Sequence, residues 1–118
     1  MKMNKTEEDE QAALFEYASY QRDVEWSLLF AIPNGGFRKI RTGIRLKRTG
    51  LKPGVPDIFL PVACYPKAGL FIEMKSEKGI VRKNQKEWHE ALRAQGYKVE
   101  ICRGCDQAVK VIQEYLKL

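Results

Sequence analysis

The order of apolar segments and breakers in this chain predicts an α/β fold, with a mixed central sheet flanked by helices. Three observations carry that expectation. Two apolar runs, Ile58-Phe59-Leu60-Pro61-Val62 and Leu70-Phe71-Ile72-Glu73-Met74-Lys75, have the composition of interior strands and are joined by a short loop. Segments of helical period stand on either side of them, near 6–22 and 82–95. A further alternating run at 97–102 leads into a last helical segment, so the order is helix, strand, basic insert, strand pair, helix, strand, helix.

Each element has its own local reason. Thr6 is placed to cap the first helix, with Glu7, Glu8 and Asp9 in the first turn, where the helix dipole favours acids. Leu14, Phe15 and Ala18 form its apolar stripe; Glu10 and Gln11 extend that stripe towards the helix start, Glu7 lies close to it, and Glu8 points away. Leu28-Leu29-Phe30-Ala31-Ile32 reads as a strand closed by Pro33-Asn34-Gly35-Gly36. A short basic helix is expected over 38–47. Gly54-Val55-Pro56 turns the chain into the strand that begins at Asp57, because the proline holds Val55 extended.

The strands at 57–62 and 69–75 are consecutive with a short loop, so they are expected to pair antiparallel. The helix over 82–95 is stopped by Gly96, with Trp88, Ala91, Leu92 and Gln95 on one face and Gln85 turned inward; Asn84 and Glu87 are placed to cap its start. His89 sits on a flank of that face and is read as a surface residue. Asp106 is expected to cap the final helix, with Val109, Ile112 and Leu116 as its core stripe.

Composition sets bounds. The 118 residues suit one domain spanning 1–118, and 44% hydrophobic content supplies one modest core. No run of eighteen apolar residues is present, so no membrane partner is expected. The first residues lack an apolar signal segment and the three cysteines are odd in number, which points to the cytoplasm. Cys102 and Cys105 form a CxxC, but only Cys64 and His89 remain to complete a zinc site, so the cysteines are read as free thiols. Net charge is +6 with a pI near 9.3, which favours a polyanion as partner. Arg38, Lys39, Arg41, Arg45, Lys47, Arg48 and Lys52 concentrate that charge in one stretch without an acid. Long cations there hold phosphates electrostatically and without regard to base sequence.

The chemistry lies in Asp57, Glu73 and Lys75. Strand period puts Glu73 and Lys75 on one face, and pairing of the two strands brings Asp57 beside them. Two interior carboxylates repel, so one takes up a proton unless a cation lies between them. One lysine offsets part of that charge, and a hard divalent ion bound by carboxylate oxygens offsets the rest.

Pro56-Asp57 followed sixteen positions later by Glu73-x-Lys75 resembles the signature of the PD-(D/E)XK nucleases. Together with Pro33-Asn34-Gly35-Gly36, the stretch Gly50 to Asp57, Ile72-Glu73-Met74-Lys75, and Gln85 followed by Trp88, it resembles the VRR-NUC family, the virus-type replication-repair nuclease domain. The resemblance runs over nearly the whole chain. It implies a restriction-endonuclease-like αβββαβ core and DNA hydrolysis with Mg2+, for which Mn2+ substitutes. Asp57, Glu73 and the main-chain carbonyl of Met74 are then the metal ligands. Glu10, with Glu7 as its rival, is the acid on the first helix that serves the metal, and Gln85 is the amide behind the strand that holds water or Lys75. Asn34 and Gly35 join the basic residues in binding DNA. A lysine working as base must shed its charge, which two neighbouring carboxylates oppose, so Lys75 is expected to orient water or donate to the phosphate.

Stand-alone members of the family resemble dimeric resolvases of four-way DNA junctions, and the family implies a phage or mobile-element source, with a bacterial host if phage-encoded. A homodimer cutting branched DNA is the preferred expectation, with 5′-phosphate products. A nuclease of flaps, nicks or single strands, and a DNA-binding module with a vestigial acid cluster, are the alternatives.

Overall fold

The structure is a computed structural model that describes residues 6–33 and 48–117. Asn34, Gly35, Arg38, Lys39, Arg41, Arg45 and Lys47, and the short helix expected over 38–47, lie outside the described residues.

Helix α1 (Glu7–Ser19) starts where the sequence places it. Asp9 N–H donates to Thr6 Oγ1 and Thr6 N–H donates to the Asp9 carboxylate, both at 3.1 Å, a reciprocal cap that satisfies two orphan donors. A single turn, α2 (Val24–Ser27), then precedes β1 (Phe30–Ala31). The strand expected over 28–32 is therefore two residues long. Leu29 turns inward while Leu28 and Phe30 stay exposed, so this apolar run is split between a helical turn and an edge strand.

Strands β2 (Ile58–Leu60) and β3 (Leu70–Met74) pair antiparallel, with Ile58 opposite Ile72 and Leu60 opposite Leu70. Helix α3 (Lys83–Ala94) crosses over to β4 (Lys98–Cys102), which runs parallel to β3. Among the described residues the sheet order is β1-β2-β3-β4. That is the mixed sheet of an αβββαβ core, as expected. Helix α4 (Cys105–Leu116) closes the described chain.

Strand period sorts the sheet into two faces. Ile58, Leu60, Leu70, Ile72 and Met74 point to one face and form a dry core with Leu14 and Ala18 of α1 and with Ala108, Ile112 and Tyr115 of α4. Ile112 is buried as expected, but the inward line of α4 runs through Ala108 and Tyr115, with Val109 and Leu116 packed at its margins. The cap of α4 is Gly104, at φ +108°, and Asp106 stands in the first turn. The chain enters the helix earlier than a cap at Asp106 requires.

The other face carries Phe59, Phe71 and Glu73. Phe30, Phe59, Phe71 and Tyr97 make a row of ring contacts across it, and the Phe59 and Phe71 rings stack at 4.2 Å. Helix α3 lies over the end of this face nearest Glu73, and its buried residue is His89. Ala91 and Gln95 are exposed, so the inward line of α3 is rotated from the one expected.

Candidate active site

Asp57 stands at the entry of β2. Its main-chain carbonyl accepts from Ile32 N–H at 2.7 Å, extending the pairing with β1, while its carboxylate Oδ2 accepts from Met74 N–H at 2.7 Å. The second bond anchors the aspartate to the strand that carries Glu73 and Lys75. The turn before it depends on Gly54, at φ +94°, where a Cβ would stand 3.0 Å from the Asn84 main chain and from Trp88 Cδ1. Glycine lets this turn close against the start of α3.

Glu73 is 1% exposed and Lys75 is 7% exposed. Burial of Glu73, its hydrogen bond with Asp57 and the Asp57 charge push its carboxyl up to about 9, against the opposing pull of Lys75; Glu7 adds a smaller push upward. At neutral pH and without a cation, Glu73 holds a proton and donates it to Asp57. This is the outcome expected for two interior carboxylates facing one another.

His89, at 2% exposure, is as buried as Glu73. Its Nε2 lies 3.3 Å from Glu73 Oε1. Burial first, then the Arg93 and Lys75 charges, lower the imidazole below its usual value, with Asp57 opposing. The contact is therefore a hydrogen bond made by a neutral imidazole. The surface role expected for His89 is corrected here. It stands one turn after Gln85, and the i, i+4 relation that puts both on one helical face was the available signal.

Gln85 holds Glu73 from the other side. Its Nε2 lies 3.5 Å from Glu73 Oε2, while its Oε1 accepts from Arg82 N–H at 2.8 Å. That second bond caps the start of α3, in place of the Asn84 and Glu87 cap expected. Gln85 addresses Glu73 rather than Lys75, and both Glu73 oxygens have a polar partner.

The two first-helix acids separate. Glu7 Oε1 accepts from Ser76 N–H at 3.2 Å, directly beyond Lys75. Glu10 Oε2 accepts from Cys105 N–H at 3.1 Å. Gly104 has no side chain to cap α4, and Glu10 supplies that acceptor from a neighbouring helix. The structure brings Glu7, and not Glu10, to the Asp57 and Glu73 cluster.

Among the described residues, a cavity of about 1220 Å³ opens here, lined by Glu7, Asp57, Glu73, Met74, Lys75 and Gln85 together with Pro33, Gly54, Ile80 and Arg82. It exceeds the roughly 300–1,000 Å³ of small-ligand pockets. Acids, one buried lysine and a strand-borne main chain at such an opening have the composition of a phosphodiester hydrolysis site.

The VRR-NUC domain matches residues 5–106. The chain belongs to the VRR-NUC family. A solved VRR_NUC domain protein shares 27% identity with it and superposes with a TM-score of 0.83, over 98% of this chain and 91% of that chain. No curated protein matches the chain. VRR-NUC membership makes this protein a nuclease of the PD-(D/E)XK type, a hydrolase whose substrate is DNA.

Nucleases of this type generally use a divalent metal. Among the described residues no trio of His, Cys, Asp or Glu is grouped to hold a metal ion by side chains alone. The Asp57 and Glu73 pair nonetheless fits a hard divalent cation. A buried proton now reconciles the two carboxylates, and a cation between oxygen donors removes the need for it.

Arg48 and Lys52 of the basic stretch are described and exposed. Arg103, which the sequence did not single out, ties the turn after β3: its Nη1 donates to the carbonyls of Ser76 at 2.8 Å and Gly79 at 2.7 Å. Among the described residues no helix is long and apolar enough to cross a membrane.

Proposed function

We propose that this VRR-NUC protein is a Mg2+-dependent endonuclease that cuts four-way DNA junctions as a homodimer and leaves 5′-phosphate ends. The observation that carries the reading is the convergence of Asp57, Glu73 and Lys75 on one cavity, with Glu73 held by His89 and Gln85.

In this reading Asp57, Glu73 and the Met74 carbonyl hold the metal, and Glu7 takes the place on the first helix foreseen for Glu10. A divalent ion held there would offset charge on the scissile phosphate and lower the pKa of water, and Mn2+ would serve in place of Mg2+. The chain's own residues do the rest. Lys75 donates to a non-bridging phosphate oxygen, where negative charge grows as water adds to phosphorus and gives up a proton to solvent, while the bond to the 3′ oxygen breaks and that oxygen takes a proton from solvent to leave as a hydroxyl. Glu73 and Asp57 stay fixed because Gln85, His89 and Met74 N–H each hold a carboxylate oxygen. The basic stretch from Arg38 to Lys52, with Asn34 and Gly35, grips the backbone through phosphate contacts. Two copies related by a two-fold axis suit a junction that must be nicked symmetrically on two strands.

The test is cleavage of an end-labelled four-way junction beside duplex, flap and single-strand DNA, with Mg2+, Mn2+ or EDTA. Paired symmetric nicks at the junction that EDTA abolishes agree with the proposal. Cutting confined to flaps or single strands contradicts the junction preference, and a monomer in sedimentation contradicts the dimer.

A further inference from the structure

We propose that Ile80 is an apolar wedge with which the protein contacts unstacked bases beside the phosphodiester it cuts. The inference rests on the nuclease reading above and adds to it a residue that selects DNA with open or branched stacks.

Three observations carry it. Ile80 is 80% exposed, although it lines the rim of the cavity that holds Glu73 and Lys75. A single exposed isoleucine is unremarkable on a surface; its place on that rim is what matters. Second, the turn that presents it is fixed. Arg103 clamps the carbonyls of Ser76 and Gly79, Gly79 N–H donates to Ser76 O at 3.0 Å, and Ser76 N–H donates to Glu7. A Cβ at Gly79 would stand 3.0 Å from Ser76 Oγ and 3.2 Å from Glu7 Oε1, so the turn packs closely against both side chains. Ile80 is held out on a braced support.

Third, its flanks are cationic. Lys78, Arg82 and Lys83 are exposed on either side of it, and Glu77 is the one acid between Ser76 and Lys83. An apolar tip between cations, at the mouth of a phosphodiester site, matches DNA: phosphates take the flanks and a base or sugar face takes the tip. In a continuous duplex the tip gains nothing unless a base step opens, at a cost of about a few kcal/mol. A flap, a single strand or a junction opened in EDTA has already lost stacking at its exposed bases, so Ile80 gains contact there and not on intact duplex.

The experiment measures binding of wild-type protein and of Ile80→Ala, Ile80→Met and Ile80→Lys to a four-way junction and to intact duplex. The DNA carries 2-aminopurine at the branch, and EDTA is present across a salt series. The expected result is about a tenfold loss of junction affinity in Ile80→Ala, with duplex affinity and the salt slope unchanged, since no charge is removed. Ile80→Met keeps the preference, and the 2-aminopurine signal of the wild-type complex falls in Ile80→Ala. An unchanged ratio of junction to duplex affinity in Ile80→Ala overturns the proposal. So does an equal loss on both DNAs, or a change of oligomeric state with the preference intact, which would assign Ile80 to a contact between copies. Failure of the nuclease reading is distinguishable: wild-type protein would cut none of these DNAs with Mg2+, whatever the Ile80 variants bind.

Discussion

His89 Nε2 lies 3.3 Å from Glu73 Oε1, and both side chains are buried. The imidazole, depressed below its usual value, stays neutral. It thus holds one oxygen of Glu73 without adding a charge that would compete with a metal ion. Gln85 at the other oxygen completes the grip. A carboxylate so held keeps its orientation whether it carries a proton or a cation, which is the preorganisation a metal ligand needs.

The Glu73 proton makes stability depend on pH. Its carboxyl stands near 9 in the folded protein against 4.5 when exposed. A group raised on folding contributes stability fully below the lower value and loses it as pH rises towards the higher one. Metal-free protein is therefore expected to lose up to about 1.4 kcal/mol per pH unit between pH 7 and 9. His89, shifted the other way, loses its contribution only as pH falls below its usual range. Urea denaturation in EDTA at pH 7, 8 and 9 reads the slope, and Glu73→Gln should flatten it. The same slope in wild type and variant would place the proton elsewhere. With the proton at Glu73, metal affinity should rise with pH over this window, by up to about tenfold per unit.

Removing His89 should weaken metal binding as well as the fold. His89→Ala is expected to lower Mn2+ affinity about 10–100-fold, as loss of an outer-sphere partner does. The accompanying stability loss is about 1–3 kcal/mol, because the variant leaves a hole and an unpaired Glu73 oxygen. His89→Gln, which restores a polar partner, should recover part of the affinity. Titration calorimetry separates this from a purely structural role, which would lower stability and leave the affinity of the folded protein unchanged.

The two first-helix acids should behave oppositely. Glu7→Gln is expected to cut cleavage at least about tenfold with little change in melting. Glu10→Ala should leave the cleavage rate of folded protein near wild type and cost about 1–2 kcal/mol, because it strips the acceptor from Cys105 N–H at the start of α4. Single-turnover rates beside melting curves decide the matter, and reversed behaviour would return the role to Glu10.

Gly54 should not tolerate a side chain. Gly54→Ala places a methyl 3.0 Å from the Asn84 main chain and from Trp88, at φ +94°. A loss of about 1–3 kcal/mol is expected, and with it displacement of Asp57. An unchanged melting temperature would show that the turn relaxes freely.

The elements with a strong local signature were legible in the sequence. The cap of α1 at Thr6, the antiparallel pairing of β2 with β3 and the inward lean of Glu73 follow from capping residues and strand period. The Asp57, Glu73 and Lys75 cluster was legible because repeated apolar neighbours make charged strand residues conspicuous. What escaped depends on long-range contact. The Leu28 to Ile32 run reads as a strand until Leu29 is needed in the core behind α2. Glu10 and Glu7 stand three positions apart and look equivalent until α4 arrives with an uncapped N-terminus. The inward line of α3 is set by Glu73, which draws His89 beneath the helix although Trp88 and Leu92 are the more apolar residues.

Whether Glu73 is part of the cutting machinery is decided by Glu73→Ala against labelled DNA. Binding in EDTA and cleavage with Mg2+ or Mn2+ are measured on the same junction, flap, single-strand and duplex substrates. The variant is expected to bind with wild-type affinity and to cut none of the DNA that the wild type cuts. Cleavage that survives the substitution would contradict the assignment of Asp57, Glu73 and Lys75 as the catalytic centre.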